Sequence, residues 1–204
     1  MPEITPPDPP LSRGRVLVRP PRNGDVAAIT AACQDPDIAR FTRVPNPYTE
    51  DEATAFVELS RAGWEDGSTA NFVGIDLHNG MLLGSCGLVL DPREDAAELG
   101  YWVVAEARGS GIATTMAWIV ANYGLTTLGL QRLNLITSAN NEASRRVASR
   151  LGFQLEGTMR SAHIDGRNGD RKAPRVDAEI WGLLPGELRD PDEDATDETE
   201  DSDE

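Results

Sequence analysis

The chain has few of the residues on which several protein classes depend. Two cysteines, Cys33 and Cys86, cannot build a disulfide framework. Two histidines leave little material for a zinc site, so no metal is expected. The apolar runs, such as Met81-Leu82-Leu83 and Leu133 to Ile136, are far too short to cross a bilayer. The start, Met1-Pro2-Glu3-Ile4-Thr5-Pro6-Pro7, has neither the basic residues nor the apolar stretch of a secretory signal. These absences point to a cytoplasmic protein with no membrane partner. Basic charge is scarce as well: 19 lysines and arginines face 34 acidic residues, for a net charge of −15. Ten of the acidic residues fall between Asp190 and Glu204, where no basic residue occurs, and without them the acidic excess is only five. A nucleic-acid partner is not expected, because such a tail repels phosphate.

What is present fits one domain of ordinary size with a tail at each end. Five of the first ten residues are proline, which supports neither a helix nor a central strand, so residues 1–13 read as a disordered leader. From Asp190 onward the chain is almost without apolar residues and cannot offset its ordering entropy. Residues 190–204 therefore read as a disordered acidic tail, either solubilising or an interaction arm. Residues 14–189 form the domain, and no repeat divides it.

The coarse pattern inside that domain is mixed. Val16-Leu17-Val18 reads as a strand and Asp25 to Cys33 as an alanine-rich helix. Thr49-Glu50-Asp51-Glu52 is a capping box opening a helix to about Trp64, with Ala55, Phe56 and Leu59 expected on its inner face. Three strand-like runs follow, Ala70 to Leu77, Met81 to Leu90 and Ala96 to Val104, the first two joined by the hairpin signal Asn79-Gly80. A helix from Ile112 to about Tyr123, a strand from Leu133 to Thr137, a helix from Glu142 to Leu151 and strands from Phe153 to Met159 and Val176 to Leu183 complete the order. The sequence β-α-α-β-β-β-α-β-α-β-β predicts a mixed α+β sheet rather than a regular βαβ winding.

One strand-to-helix turn carries chemistry. Glu98-Leu99-Gly100-Tyr101-Trp102-Val103-Val104 runs through Ala105-Glu106-Ala107 into Arg108-Gly109-Ser110-Gly111-Ile112-Ala113. A helix start presents unpartnered N–H groups and partial positive charge, and the small residues there let a diphosphate approach the backbone. Alone, a turn this short also fits a loop without a ligand. It is neither a Walker loop nor a dinucleotide fingerprint.

A second segment, Asn140-Asn141-Glu142-Ala143-Ser144, leads a helix ending in Leu151-Gly152-Phe153, with Glu156-Gly157-Thr158-Met159-Arg160 behind it. Together these motifs resemble the GNAT superfamily of acyl-coenzyme A N-acyltransferases, most nearly the branch that acetylates the N-termini of ribosomal proteins. The pyrophosphate motif of that family falls on Arg108, Gly111 and Ala113, and its Asn-x-x-Ser element on Asn141 and Ser144. The resemblance covers about residues 14–184. It implies a mixed central sheet flanked by helices, with two parallel strands splayed to hold acyl-CoA; here these are Glu98 to Val104 and Leu133 to Thr137.

The resemblance also implies roles. Backbone groups at Tyr101, Trp102 and Val103 would meet the pantetheine arm and thioester. Arg108, Gly109, Ser110, Gly111, Ile112, Ala113 and Thr114 would bind the pyrophosphate, and Asn141 the pantetheine. The chain departs from better-known relatives where some place a helix tyrosine near the sulfur, here Ala148, and some a strand glutamate, here Ile136. Ser144 becomes the candidate acid, with a bare pantetheine contact as the alternative. Glu98 is the candidate base through a water, with a salt-bridged strand carboxylate as the alternative. His163, placed in a polar loop from Ser161 to Lys172, is a third titratable candidate or a surface residue. Phe41, Arg43, Tyr48 and His163, together with Arg40, are expected at the acceptor slot. The basic loop residues Arg167, Arg171, Lys172 and Arg175 are either anion-attracting or merely solvated, and Cys86 reads as a small core residue.

The implied activity is transfer of an acetyl group from acetyl-CoA to a primary amine, foremost a protein or peptide N-terminus, by direct attack in a ternary complex. The alternatives are a small-molecule amine acceptor, a succinyl-type acyl group, and a non-catalytic acyl-CoA-binding module. Oligomeric state is left open between monomer and homodimer.

Overall fold

Asn79-Gly80 does form the turn its residues encode in the computed structural model of the chain, which describes residues 4–165 and 173–193. Gly80 adopts a φ of 73°, its N–H donates to Asp76 O at 2.8 Å, and the Asn79 side chain accepts from the Met81 N–H at 2.9 Å. The turn joins β3 (Thr69–Asp76) to β4 (Leu82–Asp91) in an antiparallel pair. Before β3 come β1 (Leu11–Arg13) and β2 (Val16–Arg19); after β4 come β5 (Ala96–Val103), β6 (Arg132–Ser138), β7 (Gln154–Ile164) and β8 (Arg175–Leu183). They make one eight-stranded sheet in the order β1-β2-β3-β4-β5-β6-β8-β7. Every neighbouring pair is antiparallel except β5 with β6, as the mixed α+β reading requires.

Helices cover both faces. On one face lie α1 (Val26–Ala32), α2 (Pro36–Phe41) and α3 (Glu50–Asp66), over a core of Ile29, Cys33, Ile38, Tyr48, Ala53, Val57 and Val73. On the other lie α4 (Ile112–Thr126) and α5 (Glu142–Arg150), over a larger core that includes Phe72, Leu88, Leu99, Met116, Leu133 and Leu135. Alternation assigns the faces: Phe72 packs under α4 and Val73, its neighbour, under α1 to α3. Trp64 and Tyr123 meet the Phe72 ring at 5.2 and 5.7 Å, edge-on in each case. No helix among the described residues is long and apolar enough to cross a membrane.

Several local expectations change. The α3 capping box is present, with Thr49 and Glu52 each accepting from the other's N–H. Its buried face, however, is Ala53, Val57, Ser60 and Trp64; Ala55 is exposed and Leu59 points to solvent at 69% exposure. The short α2 was not anticipated, although Asp35 caps it by accepting from Asp37 N at 2.8 Å and Pro36 occupies its first turn. Of the leader, residues 4–13 lie against the domain: Ile4 N–H donates to Trp64 O at 3.3 Å, Tyr123 donates to Thr5 O at 3.2 Å, and β1 pairs with β2. At the other end Arg13 lies 4.1 Å over the Trp118 ring and pairs with Asp190 and Asp192. The remainder of the acidic tail lies outside the described residues.

A carboxylate ties the sheet to the first helices. Asp25, buried at the end of a 3-10 turn (Asn23–Asp25), accepts two bonds from Arg19 at 2.7 and 2.8 Å and one from the Arg22 N–H at 2.7 Å. Burial alone would raise its carboxyl, but those three donors outweigh it and hold the group below its ordinary value. A depressed carboxyl contributes stability above its unfolded value near pH ~3.9 and loses it as pH falls through the folded value. Asp25→Asn is therefore expected to cost about 1.5–3 kcal/mol at neutral pH, with the deficit shrinking towards zero on acidification. Urea unfolding of both proteins at several pH values measures this directly.

Candidate active site

β5 and β6 pair over three residues only: Ala96 with Arg132, Ala97 with Leu133, and Glu98 with Asn134. Beyond that point β5 stays bonded to β4 as far as Val103, and β6 to β8 as far as Ser138, so the two strands diverge from each other. Between them opens a cleft of about 500 Å³ that passes from one face of the sheet to the other. Its floor is kept low by Gly100, opposite Gly87 on β4. A Cβ on Gly100 would meet nothing within 4 Å, so open space rather than tight packing lies above this mid-strand glycine.

Strand alternation sends neighbouring side chains to opposite mouths of the cleft. Tyr101 and Val103 point towards α4 and α5, where Ala113, Ser144 and Val147 join them. Asn141 caps α5 by accepting from the Ser144 N–H at 3.1 Å, which fixes the first turn and brings the serine hydroxyl to the cleft. Tyr101 Oη and Ser144 Oγ are 3.0 Å apart and hydrogen-bonded. Burial pushes the Tyr101 phenol well up, against the pull of that bond. On the opposite face Glu98 and Trp102 look towards α2 and α3, with Phe41, Arg43, Phe56 and Ile136 around them. Arg43 reaches within 3.9 Å of Glu98, but its side chain is 77% exposed, so this ion pair is loose.

At the far end of β5 the chain turns through Ala105–Ala107 into α4. Gly109 and Gly111 have φ values of 73° and 78°, and no side chain caps the helix. Its first N–H groups are thus open to an anion, and the left-handed backbone explains both glycines. Ser110 donates to Ala107 O at 2.8 Å, while Ile112 and Thr114 turn their side chains into the core. Gly109, Ser110 and Gly111 are exposed, whereas Ile112 and Thr114 are buried. The Arg108 guanidinium is already held by Asp35 at 2.5 Å and Asp37 at 3.3 Å, both on the cap and first turn of α2.

The sequence-selected residues therefore divide. Phe41, Arg43, Glu98, Tyr101, Trp102, Val103, Arg108, Ala113, Asn141, Ser144 and His163 line the cleft, and Gly109, Ser110 and Gly111 stand at the helix start beside it. Tyr48 does not line it: its ring is buried between α1 and α3 with Ile29 and Val57. His163 lies in strand β7 rather than a loop, paired with Val176. Arg175 begins β8 and donates to Ser161 O at 2.6 Å, while Arg167, Arg171 and Lys172 lie outside the described residues. Arg40 bridges to Asp165 over the Phe41 ring and braces the α2 side of the cleft. Sequence reasoning missed the side chain of Tyr101, counted only for its backbone, and also Asn71, Phe56 and Ser85. Counting alternate residues from Leu99 would have turned Tyr101 towards α5. Cys86 is buried in the core, and burial pushes the Cys33 thiol up to about 12, so neither thiol is suited to nucleophilic work.

Comparison with known proteins gives a consistent answer. A family model described as an acetyltransferase (GNAT) domain matches residues 15–154. An uncharacterized N-acetyltransferase, YoaA of Bacillus subtilis (strain 168), is 28% identical over 152 residues, 74% of this chain and 85% of that one. A putative ribosomal N-acetyltransferase, YdaF of the same organism, is 35% identical over 96 residues, 46% of this chain and 52% of its own. Among solved structures, RimL, a ribosomal alpha-N-protein acetyltransferase in complex with coenzyme A, superposes with a TM-score of 0.76 at 18% identity, covering 84% of this chain and 95% of that one.

Proposed function

The chain belongs to the GNAT acetyltransferases, and on that premise we propose that it moves an acetyl group from acetyl-CoA to the α-amine of a protein or peptide N-terminus. The observation that carries this reading is the divergence of β5 from β6 beyond Glu98 and Asn134. It leaves a strand edge on which an extended, amide-bearing arm can pair, in a cleft open to both faces of the sheet. The uncapped start of α4, with its two left-handed glycines, suits the diphosphate at one end of that arm. Likeness to the ribosomal acetyltransferases supports a polypeptide acceptor.

The sheet then separates the two halves of the reaction. The amine enters past Phe41 and Arg43 on the Glu98 face, and the sulfur leaves on the Ser144 face. Glu98, acting through a water, takes the proton the amine must lose. The nitrogen attacks the thioester carbonyl carbon, and the C–S bond breaks with its electron pair on sulfur. The Ser144 proton moves to that sulfur and is replaced from solvent. Much of the rate comes from holding the two reactants together.

The test is thiol release from acetyl-CoA with a pool of short peptides bearing free α-amines, spermidine, or no acceptor, repeated with succinyl-CoA. Release with peptides and acetyl-CoA supports the reading. Release only with spermidine or only with succinyl-CoA replaces the acceptor or the acyl group, and none with any pair points to a non-catalytic module.

Two variants probe the parts. Ala113→Asp adds a carboxylate at the first turn of α4, where it favours the helix but repels a diphosphate. Circular dichroism should show the fold retained while calorimetric acetyl-CoA affinity falls roughly tenfold or more; unchanged affinity would remove the helix start from the binding site. Glu98→Gln should lower the rate about 10²-fold at neutral pH and recover it towards higher pH, where the amine is already neutral. A pH–rate profile parallel to that of the parent would exclude the glutamate as base.

A further inference from the structure

We propose that the side chain of Tyr101 is a positioning residue for acyl transfer: its hydroxyl donates to Ser144 Oγ and so turns the serine's own proton into the cleft, towards the leaving sulfur. The inference rests on the reading of Ser144 as the acid, and it assigns work to a group that the backbone role of Tyr101 leaves out.

The geometry is a closed two-hydroxyl pair. Tyr101 Oη comes from β5 and Ser144 Oγ from α5, 3.0 Å apart across the mouth of the cleft. Among the described residues neither hydroxyl has a second hydrogen-bond partner. Each carries one proton, so the bond has two polarities with different consequences. If the serine donated, its proton would be spent on the phenol and unavailable to sulfur. A phenol is the stronger donor, and its lone pairs, delocalised into the ring, make it the weaker acceptor. The favoured polarity is therefore phenol to serine. Burial of Tyr101 keeps the phenol protonated and able to donate across the ordinary pH range. The serine proton must then point away from the ring, where the neighbours Ala143 and Val147 offer no side-chain acceptor. A sulfur at that place supplies one.

The arrangement also acts during the step. As the C–S bond breaks and the Ser144 proton passes to sulfur, negative charge builds on the serine oxygen. The Tyr101 O–H bond to that oxygen strengthens as it does so, while the phenol keeps its own proton throughout. The serine recovers a proton from solvent after coenzyme A leaves. Tyr101 is thus neither a source nor a sink of protons. The helix position that carries a tyrosine in some relatives is here Ala148, fully buried on the inner face of α5, so no hydroxyl from that position competes.

The test is a double-mutant cycle of Tyr101→Phe and Ser144→Ala, with thiol release measured against the pool of free-amine peptides and again with water as the only acceptor. The leaving sulfur is the same in both assays, so the result does not hang on the acceptor. Tyr101→Phe, which keeps the ring, is expected to lower kcat about three- to tenfold with KM for acetyl-CoA and Tm unchanged. Ser144→Ala should lower kcat roughly tenfold to a hundredfold, and the double variant no further than Ser144→Ala alone. A Tyr101→Phe variant with full kcat, or one equally impaired with and without the serine hydroxyl, overturns the inference. So does a change confined to KM or Tm, which marks the tyrosine as packing. Full kcat in Ser144→Ala is a separate failure: it removes the serine as acid and takes the reading beneath the inference with it.

Discussion

The constraint on which this molecule turns is that buried backbone N–H and C=O groups must find partners. Six neighbouring strand pairs meet it by ordinary pairing, and β5 with β6 meet it for three residues and then stop. Each strand is held on its outer side, β5 by β4 and β6 by β8, so the sheet survives the split without collapsing into it. The rest follows from that gap. The glycines at positions 87 and 100 keep side chains off its floor, α5 begins at its edge under the Asn141 cap, and α4 starts at its far end with open N–H groups.

A split in the middle of a sheet also creates two chemical compartments. Side chains one residue apart on β5 face opposite layers, so Glu98 and Tyr101, whose hydroxyl is bonded to Ser144, stand close in sequence and on different sides of the partition. A base and an acid that shared one compartment would pair with each other. In the proposed reaction they stay apart, and only the reacting carbonyl passes between them. Arg108 stitches across this division from another direction, since the carboxylates that hold it belong to the cap and first turn of α2, whose Phe41 and Ile38 line the cleft. The charge before α4 and the shape of the α2 side of the cleft are thus mechanically joined.

The strands and long helices were legible in the sequence because local signals agreed with one another. The hairpin turn, the α3 capping box and the glycine-flanked start of α4 each have a local cause, and each stands where it was expected. What escaped was tertiary in origin. The prolines near the start suggested disorder, yet a three-residue strand and two backbone contacts are enough to hold residues 4–13 on the domain. The one local signal overlooked was Asp35 before Pro36, which caps and starts α2. Tyr48 and Phe41 come from the same proline-broken stretch, and nothing local to them says that one enters a core and the other a cleft. The Tyr101–Ser144 pair spans 43 residues of sequence, and only the closing of β5 against α5 reveals it.

Arg13 has a consequence for the order in which the structure assembles. Its bonds to Asp190 join residues 177 positions apart, one of the longest loops this chain can close. Loop closure of that length carries a high entropic cost, and the ion pairs gained lie at the surface, where each contributes little. The Trp118 ring beneath the guanidinium exists only once α4 has formed. On that balance the junction is expected to form late in folding and to open early in unfolding. Since β1 ends at Arg13 and stands at the edge of the sheet, four strands from β5, its opening would leave the divergence of β5 and β6 undisturbed.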